Sequence, residues 1–160
     1  MRFGLCTDIR NVKEVQEVGF DYIGGKLNQF ALWSEEEFES VLELFSSSSI
    51  KMETASLLLP KTMKVIGREY NEKELLSYLD VAFSRMDKLG SSLVVFGSGK
   101  SRMISDGETW QRSFLSLVEV TKLIGKKAAE YGISIAIEPL NRSETNLINT
   151  LSEGAALQAE

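Results

Sequence analysis

The chain has 160 residues, 43% of them hydrophobic and 26% charged, enough for one domain (residues 1–160) with a buried core. A net charge of −5 lacks the basic face that a phosphate-backbone binder needs, and no stretch approaches the roughly 20 apolar residues of a membrane span, so neither nucleic acid nor membrane is an expected partner. There is no histidine, which excludes Ser-His and Cys-His dyads and histidine-based zinc sites within the chain and leaves acid–base chemistry to carboxylates, lysines and tyrosines.

The first segment, Arg2–Thr7, reads as a strand. MRFGLCTDIR lacks the apolar run of a signal peptide, and a single cysteine, Cys6, fits a reducing setting, so a cytoplasmic location is expected. Cys6 sits in an apolar run and is expected to be a small core residue. Val12, Val15 and Val18 mark a short helix. Phe20–Gly24 is a second strand, followed by a loop over Gly25–Leu32 that carries Lys26. After this strand, Phe30 and Trp33 either wall a pocket or, for Trp33, staple the next helix. Ser34 is an N-cap before three glutamates, and Phe38, Val41, Leu42 and Phe45 repeat at helical spacing.

Ser46–Ser49 reads as a loop and Ile50–Ser56 as the third strand. Leu75, Leu79, Ala82, Phe83, Met86 and Leu89 form the next helical stripe, Ser92–Gly97 the fourth strand. A helix expected to begin near Glu108 carries Trp110, Phe114, Leu117, Val118, Thr121 and Ile124. Ile133–Glu138 is the fifth strand, and Thr150 caps a last helix from Leu151. Gly19, Gly90 and Gly132 each end a helix just before a strand, the short joint of a β/α repeat. The class is α/β, with two architectures open: a doubly wound sheet, or part of a (β/α)8 barrel.

The stretch "VVFGSGKSRM" resembles a phosphate loop but fails its spacing. A P-loop needs glycine where Val94 stands, a dinucleotide fingerprint needs glycine where Arg102 stands, and no helix follows directly. What remains is a glycine turn at the C-terminal end of a strand, the end where β/α proteins bind ligands. Ser98, Gly99 and Arg102 are therefore candidate ligand contacts; the alternative is a tight turn with solvated Lys100 and Arg102.

Glu138 closes an apolar strand and precedes Pro139, which stops the ladder. An ionised carboxylate at such a depth needs a cation, and the candidates are Arg142 or a divalent metal with oxygen ligands. Asn141, Arg142, Thr145 and Asn146 in the following loop are candidates for holding hydroxyls or a phosphate, Arg142 being the best anion partner. Glu144 is expected to be solvated.

"VVFGSGKSRMISDG" followed by "IAIEPLNRSETNLINT", with "LLLPKTMKVIG" and "YLDVAFSRMDKLG" upstream, resembles the xylose isomerase-like TIM-barrel superfamily, in particular its sugar phosphate isomerase/epimerase branch. The resemblance covers essentially the whole chain. It implies a partial (β/α)8 TIM barrel of five parallel strands with alternating helices, truncated in the fifth helix. It also implies a sugar or sugar phosphate substrate and a divalent metal (Mn, Mg, Co or Zn) held by a glutamate after the fifth strand and an aspartate, a histidine and a second glutamate from later strands. Glu138 matches that first ligand, which in such enzymes also serves as acid–base catalyst. Ser98, Gly99, Arg102, Asn141, Arg142 and Asn146 fall where substrate contacts are expected. Lys26 departs from the acidic residue many relatives carry near that strand end.

On this resemblance three of four metal ligands lie beyond Glu160, so the chain alone is expected to bind metal weakly and to be inactive. Two alternatives stand beside it. One is a non-catalytic half-barrel that forms a homo-oligomer or pairs with a second chain, since five strands leave two open edges. The other is an apurinic-site endonuclease relative, disfavoured by the absence of histidine.

Overall fold

A computed structural model describes residues 1–160 and contains one five-stranded parallel sheet. Its strands are β1 (Gly4–Cys6), β2 (Tyr22–Lys26), β3 (Met52–Ser56), β4 (Leu93–Phe96) and β5 (Ser134–Ile137). The helices are α1 (Val12–Glu17, after a 3₁₀ turn at Ile9–Asn11), α2 (Leu27–Phe30), α3 (Glu35–Ser46), α4 (Glu72–Lys88), α5 (Trp110–Ala129) and α6 (Leu151–Ala159). The strands are hydrogen-bonded in sequence order, β1-β2-β3-β4-β5. A doubly wound sheet reverses its order at a switch point, and this one never does. The fold is a partial (β/α) barrel, an arc of five strands with helices outside.

Local sequence explains where elements stop and start. Gly19, Gly90 and Gly132 adopt φ of 92°, 76° and 64°, the left-handed turn that ends a helix and drops the chain into the next strand. Ser34 and Thr150 form capping boxes with Glu37 and Glu153, while Asn71 and Thr109 cap α4 and α5. No helix is long and apolar enough to cross a membrane.

Register divides the sheet into two faces. The row Gly25–Ala55–Val94–Ile135 faces the helices, and Ala55, Val94 and Phe96 are buried there. A Cβ on Gly25 would stand 2.7 Å from Ile9 and 3.0 Å from the Phe30 ring, so glycine lets α2 lie directly on β2. The row Cys6–Gly24–Thr54–Leu93–Ser134 lines the concave face, and apart from Gly24 its members are exposed or half-buried.

Three expectations are corrected. Cys6 is exposed, because alternation on β1 turns it to the concave face and β1 is an edge strand. Lys26 belongs to β2, not to a loop, and residues 27–30 form a helical turn rather than loop. Val18 is 76% exposed because α1 ends at Glu17.

Candidate functional site

The strands end together on one rim, where a cleft of about 440 Å³ opens between the loops that follow β3, β4 and β5. Its charged lining is Lys61, Lys100, Glu138 and Glu144, and Ser98 and Gly99 form its floor beside Gly97. Leu57 (φ 55°) and Ser98 (φ 37°) also line it. Two of the chain's three non-glycine residues in the left-handed region thus sit in one cleft, a conformation that persists only where neighbours impose it.

The neighbours responsible are identifiable. Ser98 Oγ accepts the Leu59 N–H at 3.0 Å, and Ser101 Oγ donates to the Pro60 carbonyl at 3.0 Å. The Val65 N–H donates to the Ser101 carbonyl at 3.0 Å, and Lys64 Nζ to the Lys100 carbonyl at 2.8 Å. Tyr78, from α4, donates its hydroxyl to the Leu58 carbonyl at 2.8 Å, and burial pushes its pKa up. The loops after β3 and β4 are therefore stitched into one unit at the cleft floor, with Tyr78 bracing it from α4.

Glu138 directly follows β5, and its backbone N–H continues the ladder to the Phe96 carbonyl at 3.3 Å. Its carboxylate lies over Gly97, where any Cβ would come within 3.0 Å of Oε2. No ion pair of the chain includes Glu138 or Arg142. Glu138 is exposed to the cleft, and the pairing with Arg142 left open by the sequence is not made.

Arg102 was expected among the ligand contacts, and the structure corrects this. It is fully buried, with its guanidinium donating to the Phe96 carbonyl at 3.0 Å, the Glu138 carbonyl at 2.6 Å and the Ile148 carbonyl at 3.5 Å. Burial pushes its pKa down to about 10, against the opposing pull of the Glu138 charge, so it remains a cation at neutral pH. Arg102 ties the ends of β4 and β5 to the left-handed Ile148 (φ 61°) of the following loop. Backbone carbonyls at strand ends supply the acceptors, which the linear sequence does not display.

The remaining candidates divide. Ser98 and Gly99 line the cleft with Glu138. Asn141 has its amide engaged within its own loop, accepting the Ser143 N–H at 2.9 Å and donating to Glu144. Asn146 is spent on a tie to the loop after β4, accepting the Ile104 N–H at 2.7 Å and donating to the Ile104 carbonyl at 3.1 Å. Arg142 is exposed and lines no part of the cleft. Phe30 is buried, and Trp33 packs beside it with ring centres 6.2 Å apart, beneath Arg10, so neither walls the cleft. Glu144 is exposed as expected, yet lines the cleft. Lys61 is the charged contributor that sequence reading missed, alongside the polar Asn28, Ser56, Ser101 and Ser143; its signal was a charged residue after Pro60 in the loop of a strand end.

No group of three or more His, Cys, Asp or Glu side chains comes together to hold a metal. Glu138 offers one carboxylate, so the residues of this chain do not by themselves fit a firmly held divalent cation.

A family model described as xylose isomerase-like TIM barrel matches residues 12–160. Among solved structures, 3-keto-D-glucoside 4-epimerase from E. coli is 18% identical with a TM-score of 0.77, the match covering 99% of this chain and 64% of that one. D-allulose 3-epimerase from Methylomonas sp. is 22% identical, TM-score 0.80, covering 99% of this chain and 60% of that one. A family 2 AP endonuclease from Brucella melitensis is 16% identical, TM-score 0.72, covering 99% and 63%. The chain thus spans about three-fifths of the length of these structures, and at such identities the likeness establishes the fold. No curated protein matches.

Proposed function

The chain belongs to the xylose isomerase-like TIM barrel family, and from that premise we propose that it is the Glu138-bearing part of a metal-dependent isomerase or epimerase of a sugar or sugar phosphate. The observation that carries this reading is the carboxylate of Glu138, free of any protein partner, at the strand-end rim over a glycine and inside the cleft. The epimerases among the structural neighbours support the substrate class.

The reaction suits a carboxylate there. A carbon next to a carbonyl gives its proton to Glu138, and the electron pair of the broken C–H bond moves onto the carbonyl oxygen as an enediolate. Return of a proton on the opposite face inverts the carbon and needs a second acid that these 160 residues do not supply; return from Glu138 to the neighbouring carbon, with a proton moved between oxygens, shifts the carbonyl. Ser98 and Gly99 line the same cleft and are the substrate contacts this reading assigns to the turn. A divalent metal (Mn, Mg, Co or Zn) belongs to this reading, but its holders other than Glu138 must come from outside these 160 residues. The chain alone then binds metal weakly and is inactive.

The test is calorimetric titration of Mn²⁺ into wild type and Glu138→Gln. Weak binding that the substitution removes supports the assignment; tight binding indifferent to it contradicts the assignment. A second reading, a half-barrel that associates with itself or another chain, is favoured by the open edges of β1 and β5 and by Phe3 and Leu5, which stand exposed at the β1 edge. Sedimentation decides it: a monomer at high concentration rejects self-association.

A further inference from the structure

The turn that failed as a nucleotide loop carries unused donors. The N–H groups of Ser98, Gly99 and Lys100 give no hydrogen bond to any backbone or side-chain acceptor of the protein, although Ser98 is buried and Gly99 half-buried. Buried N–H groups without a partner are rare, and where they persist a ligand or water answers them. Ser98 is left-handed (φ 37°) whereas Gly97 and Gly99 do not have a positive φ, and the Ser101 N–H closes the turn on the Ser98 carbonyl at 2.9 Å; anion nests are built from turns that contain a left-handed residue.

Two cations share that cleft. Lys61 comes from the loop after β3 and Lys100 from the turn itself; both are exposed and neither enters an ion pair. Lys64, a third lysine, is already committed to the Lys100 carbonyl, which fixes the turn without adding a free charge to the cleft. The carboxylates belong to the β5 side: Glu138 directly after the strand, Glu144 held by Asn141 in the loop that follows. Charge is therefore segregated by loop, with cations on the loops of β3 and β4 and anions on that of β5.

We propose that the Ser98–Lys100 turn with Lys61 and Lys100 forms an oxyanion-binding subsite, so that the compound taken by the cleft is a sugar bearing a phosphate or carboxylate rather than a neutral sugar. The sugar part of this statement rests on the function proposed above; the anion subsite does not. Its polyol end lies toward Glu138 and its anionic end against the lysines. α5 begins only at Trp110, so the turn lacks a helix N-terminus behind it and binds a single terminal anion, not a nucleotide polyphosphate.

The experiment follows the backbone amide signals of the ¹⁵N-labelled 160-residue chain during titration with inorganic phosphate, fructose 6-phosphate, galacturonate and fructose. Expected is a saturable shift of the Ser98, Gly99 and Lys100 amides with phosphate-bearing probes, or with galacturonate if the natural anion is a carboxylate, and none of comparable affinity with fructose. Lys61→Ala and Lys100→Ala should each weaken anion binding about tenfold, the scale of a lost charge-assisted hydrogen bond, without altering the remainder of the spectrum. The proposal is overturned if no anion shifts these amides, or if the double variant binds anions as the wild type does. Glu138→Gln separates the two readings: it should leave anion affinity equal or higher, so a chain that fails the Mn²⁺ test but passes this one keeps its anion subsite.

Discussion

Gly97 lies beneath the carboxylate of Glu138, and the two are neighbours across the β4–β5 ladder, whose last contact is the Glu138 N–H on the Phe96 carbonyl. A Cβ at position 97 would intrude on Oε2, so Gly97→Ala must push the carboxylate off the strand end. Gly97 does not have a positive φ, so alanine there is not strained by its backbone. The expected outcome is a folded protein with little change in urea midpoint and loss of the Mn²⁺ binding proposed for Glu138. Unaltered binding in the variant would show that the carboxylate acts from another position.

Arg102→Met should be costly. It strips the Glu138 carbonyl of its donor and leaves the Phe96 carbonyl with only the Glu138 N–H, and one buried acceptor left unsatisfied costs about 1–3 kcal/mol. Arg102→Lys keeps a charge but cannot span both carbonyls, so it should fall between. Urea unfolding of the three proteins ranks them; equal midpoints would sink the assignment of Arg102 as a tie between strand ends.

Tyr78 gives a pH signature. Its phenol is buried and donates to the Leu58 carbonyl, so the folded state holds its pKa above the ordinary value of 10.0. Once the unfolded chain ionises and the folded one does not, the unfolded state binds fewer protons and stability falls as pH rises. The contribution is complete below pH 10 and declines above it. Arg102 acts in the opposite sense, because its folded pKa is lowered: there the unfolded state binds more protons and stability rises with pH above about 10. Comparing wild type with Tyr78→Phe isolates the first effect. The phenylalanine variant should lose about 1 kcal/mol at pH 8 for the missing hydrogen bond, and the gap should close as pH rises past 10.

Ser34→Ala removes one half of the capping box that starts α3, where Ser34 Oγ accepts the Glu37 N–H at 3.1 Å and the Glu37 carboxylate accepts the Ser34 N–H at 2.7 Å. The cost should be about 1 kcal/mol, and Ser34→Asp should recover most of it. Thermal unfolding measures both.

Much of this architecture is written locally. Glycine at a helix end, a serine or threonine before a helix, and apolar residues at spacing three and four act within a few residues, so the joints at Gly19, Gly90 and Gly132 and the stripe from Leu75 to Met86 are legible in the chain. Errors arose where a residue's fate depends on register or on the far side of the sheet. Cys6 and Leu5 look alike in an apolar run, but alternation and an unpaired edge leave both exposed. Lys26 reads as loop because two glycines precede it, whereas those glycines are in β2 for the close approach of α2 and the Thr54 side chain. The place of Glu138 at the strand end was legible from its position before a proline. Arg102 was not, because a basic residue after a glycine turn looks solvated until the folded chain surrounds it with carbonyls.

Ser98 and Ser101 brace one loop against the other through hydroxyls and main-chain groups, and neither tie involves the side chains of Lys61 or Lys100. Scaffold and selectivity are thereby carried by different atoms. On the anion-subsite proposal, the residues at 61 and 100 can be exchanged for neutral or acidic ones at little expense to the frame, and such exchange should alter which class of compound the cleft takes while the rim itself stays put.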